Sequence, residues 1–234
     1  MTLVGLGQAG SRSIASMRDR NIHMNFVELM GDIDDSHRRT LLEVFDSSAI
    51  TFVFGNTGRI HEVMKLAHTV NAYVVGIVPS KQGINAEHCS ILLAGPFDTQ
   101  EKECQPNNFD EIIYFALKSI HDMTTVPGLI NLEASDIIQA IGNKGFAHVV
   151  TGIGNSPCVA VESATRGYLE IRYATKFLVN VTGRLGCMTM EKAHEAMLAI
   201  RHMVGDRAEV VLGASIDNDM KEDIFRVVVI GISS

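Results

Sequence analysis

The chain has 234 residues, of which 46% are hydrophobic and 20% charged, and its formal net charge is −7. This length allows one large α/β domain or two joined subdomains. The sequence has no cluster of Lys and Arg residues, so we expect no nucleic-acid partner. No apolar run approaches the roughly 20 residues that span a bilayer, so we expect no membrane insertion. The cysteines, Cys89, Cys104, Cys158 and Cys187, lie far apart without a C-x-x-C pair. We therefore expect reduced thiols, no zinc site and a cytoplasmic location.

In the first hundred residues, short apolar runs alternate with amphipathic stretches. The predicted strands cover residues 2–7, 25–30, 49–54, 72–78 and 89–94. The predicted helices between them cover residues 9–20, 34–45 and 59–70, and Asp35 or Ser36 is expected to cap the second helix. This alternation predicts a mostly parallel sheet with helices on both faces.

The second half of the chain has a different pattern. A helix over residues 109–123 has a wide apolar stripe, and a Pro-Gly pair follows it. Further helices over residues 135–142, 159–170 and 190–204 alternate with strands over residues 146–153, 176–181, 209–215 and 225–232. The last two strands flank a polar turn and are expected to pair in antiparallel orientation. We predict a nucleotide-binding domain over residues 1–106, a central helix over 107–126 and an α+β domain over 127–234.

A glycine-rich turn joins the first predicted strand to the first helix. Its residues form a G-x-G-x-x-G motif followed by a serine: Gly5, Gly7, Gln8, Ala9, Gly10 and Ser11. Glycine lets backbone N–H groups approach phosphate, and a helix N-terminus adds partial positive charge, so the motif predicts phosphate binding. Two alternatives stay open. Glu28 or Asp32 could be the ribose-binding acid of an NAD-type site, or the glycines could only permit a tight turn.

Four segments of the second half resemble FtsZ, of the FtsZ/tubulin family, in the same order and at similar spacing. They are PGLINLEASD at residues 127–136, GFAHVVTGIG at 145–154, FLVNVTG at 177–183 and the paired segments at 210–220 and 225–231. The opening GLGQAG also resembles the first phosphate loop of that family. The chain is therefore identified as a divergent, shortened FtsZ-like protein. This resemblance implies a Rossmann-like GTPase-type parallel-sheet domain joined by a long central helix to a smaller mixed-sheet α+β domain.

The resemblance further implies a site for GTP or GDP, with Mg²⁺ as a candidate companion ion. The family's signature loop, GGGTGTG, is replaced here by a segment with fewer glycines, which reduces its freedom to wrap three phosphates. The corresponding residues are Gly55, Asn56, Thr57, Gly58 and Arg59. Asn56 and Thr57 could donate side-chain hydrogen bonds to phosphate, and Arg59 could add a bidentate contact. Asp110 corresponds to the residue that reads the guanine edge, although it could equally cap its helix.

An acidic turn corresponds to the family's N-x-D-x-x-D pattern, whose acids position the attacking water in the nucleotide site of the next subunit. The matching residues are Asn131, Glu133 and Asp136. Glu133 replaces the first Asp and is one methylene longer, a shift of about an ångström that can cost about a hundredfold in rate. The local alternative is helix capping by Asn131 or Ser135, with the acids favoured by the helix dipole.

The leading hypothesis for function is an FtsZ-like cytoskeletal protein that binds guanine nucleotide and self-associates head to tail into filaments. The nucleotide would lie at the subunit interface, and GTP hydrolysis would be slow or lost, so any GTPase activity would be weak. The second hypothesis is a nucleotide-free FtsZ relative that binds and regulates a full-length FtsZ-like protein. The third, an NAD-type oxidoreductase, rests only on the opening glycines and a nearby acid.

Overall fold

The computed structural model of the protein describes residues 1–18, 20, 22–78, 90–94, 109–142, 144–166, 170–205 and 207–233. For residues 90–94, 109, 110, 170 and 172, only the backbone is described. The chain divides into two compact units. The first comprises Met1–Leu93 and Gly142–Phe146, and the second comprises Ala94–Ile141 and Ala147–Ser234.

The first unit is built around a parallel sheet. Its strands, in spatial order, are β2 (Asn25–Leu29), β1 (Thr2–Leu6), β3 (Thr51–Phe54), β4 (Val74–Val78) and β5 (Ser90–Ala94). Its helices are α1 (Gly7–Arg18), α2 (Asp35–Ser47) and α3 (Thr57–Thr69). Each neighbouring pair of these strands is parallel, which confirms the sheet type that the sequence predicts.

Helices cover both faces of this parallel sheet, as expected. Val4 and Leu6 of β1 pack with apolar residues of α2 and α3 in one core. Gly5 points to the opposite face because side chains alternate along a strand. There, a Cβ atom on Gly5 would lie 2.6 Å from Cδ1 of Ile14, so α1 packs directly on β1. The buried strands and the apolar helix faces together account for the core of this unit.

The cap of α2 is Asp34, so the prediction of Asp35 or Ser36 is wrong. Asp34 has an extended backbone, and its carboxylate accepts a hydrogen bond from the amide of His37 at 2.9 Å. A capping side chain must reach the amide two or three residues inside the helix, and only a residue with a non-helical backbone does so. Asp35 instead lies in the first turn, where the helix dipole favours an acid.

The second unit contains a mixed sheet. Its strands, in spatial order, are β6 (Gly145–Gly154, of which residues 147–154 belong to this unit), β9 (Phe225–Ser233), β7 (Lys176–Gly183) and β8 (Glu209–Ile216). Its helices are α4 (Phe109–Thr125), α5 (Ala134–Ile141), α6 (Pro157–Thr165) and α7 (Met190–Val204). The helix predicted over residues 159–170 ends at Thr165, and a separate 3-10 turn covers Glu170–Tyr173. Among the described helices, none is long and apolar enough to cross a bilayer.

The strands β8 and β9 do not form the predicted antiparallel pair, because β7 lies between them. β7 runs parallel to β8 and antiparallel to β9. Every residue of β7 after Lys176 is buried, as is typical of a central strand, whereas β8 is half exposed along its first four residues, as is typical of an outer strand. The alternation of apolar residues reports burial, but it does not report which strands are neighbours.

Helices also cover both faces of the mixed sheet. Phe177, Val179 and Val181 of β7 lie in a core with apolar residues of α6 and α7. Asn180 points to the opposite face, and there Met123 of α4 packs against Gly213 of β8, a position at which a Cβ atom would collide with it. Gly213 therefore allows α4 to lie close to the sheet.

Candidate functional site

Two glycine turns, residues 5–11 and 55–59, lie side by side in the first unit. β1 and β3 are parallel neighbours, with Gly5 opposite Phe54. The helices that follow them, α1 and α3, therefore begin at the same edge of the sheet. The structure thus brings together all the phosphate-binding candidates from the two sequence segments. Two helix N-termini at one edge provide several backbone N–H donors and partial positive charge.

Packing alone explains three of the glycines. A Cβ atom on Gly10 would lie 2.6 Å from the carbonyl carbon of Gly5 and 2.7 Å from the carbonyl oxygen of Phe54. A Cβ atom on Gly55 would lie 2.7 Å from Cβ of Leu6. These contacts let α1 and the second turn lie close to the strands, so Gly5, Gly10 and Gly55 are required whether or not a ligand binds.

The other two glycines have a different environment. Gly7 has a φ of +66°, a left-handed conformation that other residues adopt only with strain. Gly58 is exposed, and a Cβ atom there would have no neighbour closer than 3.8 Å. Folding therefore does not require a glycine at position 58. Close approach of a ligand to the backbone would still favour a glycine there.

The side chains around the glycine turns are partly engaged. Asn56 caps α3, and its Oδ1 accepts a hydrogen bond from the amide of Arg59 at 3.0 Å, which leaves its amide nitrogen as the group that could donate to phosphate. The Ser11 hydroxyl donates to the sulfur of Met30 at 3.3 Å. Gln8 and Ala9, in the first turn of α1, are exposed.

Arg59 lies over the first glycine turn. A Cβ atom on Gly7 would lie 2.5 Å from its Nη1, so the guanidinium group is directly above the backbone there. Its Nη2 lies 3.4 Å from Oδ1 of Asp32, which follows β2 at the same edge of the sheet. The sequence suggested Asp32 only as a ribose-binding acid. The other candidate for that role, Glu28, forms an ion pair with Arg18 at 2.8 Å.

The acidic turn, residues 131–136, is held by backbone and side-chain hydrogen bonds within the second unit. The side chain of Asn131 accepts from the amide of Gly128 at 2.9 Å and donates to the carbonyl of Val126 at 2.7 Å. The amide of Leu132 donates to the carbonyl of Met123 at 2.8 Å. Asn131 therefore ties the turn to the end of α4, a role that needs no ligand.

The two acids of this turn differ in their engagement. The carboxylate of Asp136 accepts from the amide of Glu133 at 2.8 Å, so it reaches back to cap the start of α5. Glu133 is exposed, and its carboxylate accepts a long contact of 3.3 Å from the Ser135 hydroxyl. Glu133 is thus the acid that is available to a water molecule or a neighbouring subunit.

Asp110, the candidate for reading the guanine base, falls in the first turn of α4, and its side chain lies outside the described residues. Among the described residues, no group of three or more His, Cys, Asp or Glu side chains is arranged to hold a metal ion.

A buried charge network lies between α4 and the segment joining β8 to β9, and sequence reasoning missed it. Lys118 contacts Asp122 at 2.7 Å and Asp217 at 3.7 Å, and Arg226 contacts Asp217 at 3.1 Å. Burial favours the neutral form of the Asp217 carboxyl, but Lys118 and Arg226, with the amide of Asp219, hold its pKa below the ordinary value. Only the spacing of Lys118 and Asp122 by one helical turn could have indicated part of this network.

Known proteins resemble this chain in part of its sequence and in its fold. Residues 145–233 match the model of the FtsZ family, C-terminal domain. The fold is similar to that of an empty FtsZ dimer from M. jannaschii, with a TM-score of 0.74, 20% identity and coverage of 99% of this chain and 87% of that one. It is also similar to CetZ2 from Haloferax volcanii, a "GTPgS bound protofilament", with a TM-score of 0.61, 13% identity and coverage of 99% and 93%.

A curated relative agrees with this class. Cell division protein FtsZ 1 of Halobacterium salinarum is 33% identical over 132 residues, which are 53% of this chain and 33% of that protein. The chain thus matches about a third of the length of this relative. The family model and the relative thus show that part of the chain is similar to FtsZ, and the solved structures confirm the predicted FtsZ/tubulin-like fold class.

Proposed function

We propose that the chain binds GTP or GDP at the two glycine turns and self-associates head to tail, with the nucleotide at the subunit interface. The observation that carries this proposal is the position of the α1 and α3 N-termini beside each other, at the carboxyl ends of β1 and β3. This edge of a parallel α/β sheet is where ligands usually bind, and two helix N-termini favour phosphate.

Similar proteins support self-association. The neighbouring solved structures include a dimer of FtsZ and a protofilament of CetZ2. A protofilament repeats one heterologous contact, so each molecule needs two different surfaces. In this chain, the glycine turns and the exposed Glu133 of the acidic turn are the candidates for those two surfaces. The chain matches only part of its curated relatives. We therefore propose one further shared property, a cytoplasmic location.

We further propose that GTP hydrolysis is slow or lost. Asp136 is engaged in capping α5, and Glu133 has a longer side chain than the aspartate of the family pattern. The reading of the guanine base by Asp110 and the binding of Mg²⁺ stay predictions.

Two measurements test this function. The purified protein is denatured by heat, and the supernatant is chromatographed for GDP and GTP, with the protein concentration as the reference for stoichiometry. Light scattering and sedimentation are then followed with GTP and with GDP. Bound guanine nucleotide and nucleotide-dependent sedimentation are expected. A protein that stays monomeric with and without nucleotide would contradict the proposal.

A charge reversal separates assembly from nucleotide binding. Glu133→Arg is expected to block sedimentation while GDP binding is retained, because Glu133 is exposed and lies outside the unit that contains the glycine turns. Glu191→Arg is the matched control, since Glu191 is also an exposed acid at the start of a helix, α7. Equal loss of assembly in both variants would exclude a specific role for the acidic turn.

A second candidate function is a nucleotide-free protein that binds a full-length FtsZ-like filament. Arg59 above Gly7 and the capping role of Asn56 favour it, because both reduce the space and the donors that phosphates could use. In that case, the supernatant contains no nucleotide, added GDP gives no binding heat, and the protein alters sedimentation of a full-length FtsZ instead.

A further inference from the structure

Arg59 has two different neighbours, one through each terminal nitrogen. Nη1 lies above Gly7, at the start of α1, and Nη2 contacts the carboxylate of Asp32 at 3.4 Å. Three adjacent strands position these residues, because Gly7 follows β1, Asp32 follows β2 and Arg59 follows β3. The guanidinium group thus occupies the space above the backbone of the first glycine turn.

This position is electrostatically unfavourable for a cation. The N-terminus of α1 carries partial positive charge, which repels the guanidinium group. Asp32 offsets this repulsion, but its side chain is fully exposed and the contact is longer than an ordinary charged hydrogen bond. An ion pair of this kind contributes little stability, so the cost of separating Arg59 from Asp32 is small.

We propose that Asp32 is the resting counter-ion of Arg59, and that a phosphate group of the ligand replaces it when the site fills. Like a carboxylate, phosphate accepts hydrogen bonds from guanidinium N–H groups, and it can accept two of them at once, whereas Asp32 contacts only Nη2. The phosphate also carries more negative charge and is attracted by the helix N-terminus. Asp32 therefore competes with the ligand and lowers the affinity of the site. This inference rests on the proposed nucleotide binding.

The sign of the Asp32 effect distinguishes this role from the alternative. An acid that bound the ribose hydroxyls would contribute to affinity, and its loss would weaken binding. A competing counter-ion does the opposite, so the loss of its charge strengthens binding. The effect must also depend on Arg59, because Asp32 acts through that side chain.

A double-mutant cycle with GDP as the probe tests the inference by calorimetry at fixed ionic strength. Asp32→Asn is expected to tighten GDP binding about two- to five-fold. Arg59→Gln is expected to weaken it about tenfold or more, because a charged hydrogen bond is lost. In the Arg59→Gln background, Asp32→Asn should have no further effect. Asp35→Asn, at a nearby exposed acid in α2, is the control and should change affinity less than twofold.

Three results would overturn the inference. The first is unchanged or weaker GDP binding by Asp32→Asn, and the second is equal tightening with and without Arg59, which would indicate a general charge effect. In both cases the proposed function stands, because the wild-type protein binds GDP. The third is the absence of binding of GDP and of pyrophosphate by the wild-type protein and by Asp32→Asn, both folded by circular dichroism. That result rejects the proposed function together with the inference.

Discussion

The carboxylate of Asp217 accepts a hydrogen bond from Nη2 of Arg226 at 3.1 Å, and the two side chains are 13% and 11% exposed. The two residues belong to the segment after β8 and to β9, and Lys118 of α4 completes the contact. The guanidinium of Arg226 also stacks on Phe115, 4.6 Å from the ring centre. Because one acid faces two cations, the network depends on Asp217 more than on either partner.

Replacement of Asp217 should destabilise the protein. Asp217→Ala is expected to reduce the free energy of unfolding by about 3 kcal/mol, because Arg226 would remain largely buried without its acid and Lys118 would keep only Asp122. Glu222→Ala is the control in the same segment, since Glu222 is 76% exposed and lies 3.9 Å from Arg184. Its effect should stay within about 0.5 kcal/mol. Urea denaturation measures both, and equal losses would contradict the assigned role.

The same carboxylate should make stability depend on pH. The folded-state pKa of Asp217 lies below 3.8, the ordinary value. Its contribution is therefore complete above about pH 5 and is lost as the pH falls through the folded-state pKa. The difference in unfolding free energy between the wild type and Asp217→Asn should shrink as the pH falls from about 6 to about 3. A difference that stays constant over this range would show that the charge of Asp217 does not stabilise the fold.

Two glycines of the glycine turns should respond in opposite ways to alanine. Gly10→Ala places a Cβ atom against the backbone of Gly5 and Phe54, and is expected to cost about 3 kcal/mol or more. Gly58→Ala has space for the methyl group in the first turn of α3, and should stabilise the protein by about 0.5 kcal/mol. Thermal unfolding measures both changes.

The Gly58→Ala variant also reports on the ligand. If phosphate approaches the backbone at position 58, this stabilised variant should bind GDP more weakly than the wild type. Unchanged GDP affinity would show that the ligand does not approach Gly58.

The length of the acid at position 133 should control any hydrolysis. Glu133→Asp restores the family residue and is expected to raise the rate of GTP hydrolysis, by up to about a hundredfold if the longer side chain is the only defect. Glu133→Gln should abolish the residual rate, and its stability should be unchanged because Glu133 is exposed. Phosphate release under assembling conditions measures the rate. Equal rates in all three proteins would exclude Glu133 from catalysis.

The elements of the fold were predictable where the pattern is local. The apolar spacing predicts a helix over residues 190–204, and α7 has those bounds. The order of the strands in a sheet was less predictable, because burial at alternate positions is compatible with several strand orders. The segment between β8 and β9 is polar and longer than a tight hairpin turn, and this length allows β9 to cross to the far side of β7.

The glycine turns were predictable for the same reason, since each is a contiguous motif between a strand and a helix. The contact between Arg59 and Asp32 was not predictable, because Asp32 is 27 residues away in sequence and only the strand order β2-β1-β3 brings the two residues together. The hydrogen bonds of the acidic turn were not predictable either. The sequence shows that residues 133 and 136 are acids, but only the hydrogen bond to the Glu133 amide shows that Asp136 is already engaged.

The backbone of Ile130 is bridged to Ala214 at the outer edge of β8, with the Ala214 amide donating to the Ile130 carbonyl at 3.0 Å. This bridge and the side-chain hydrogen bonds of Asn131 hold the turn in position, and the Glu133 carboxylate takes no part in them. Substitutions at residue 133 can accordingly change the chemistry of the turn while leaving its placement intact. A single substitution at position 133 therefore alters the charge or the length of an exposed side chain and leaves the backbone of the turn in place.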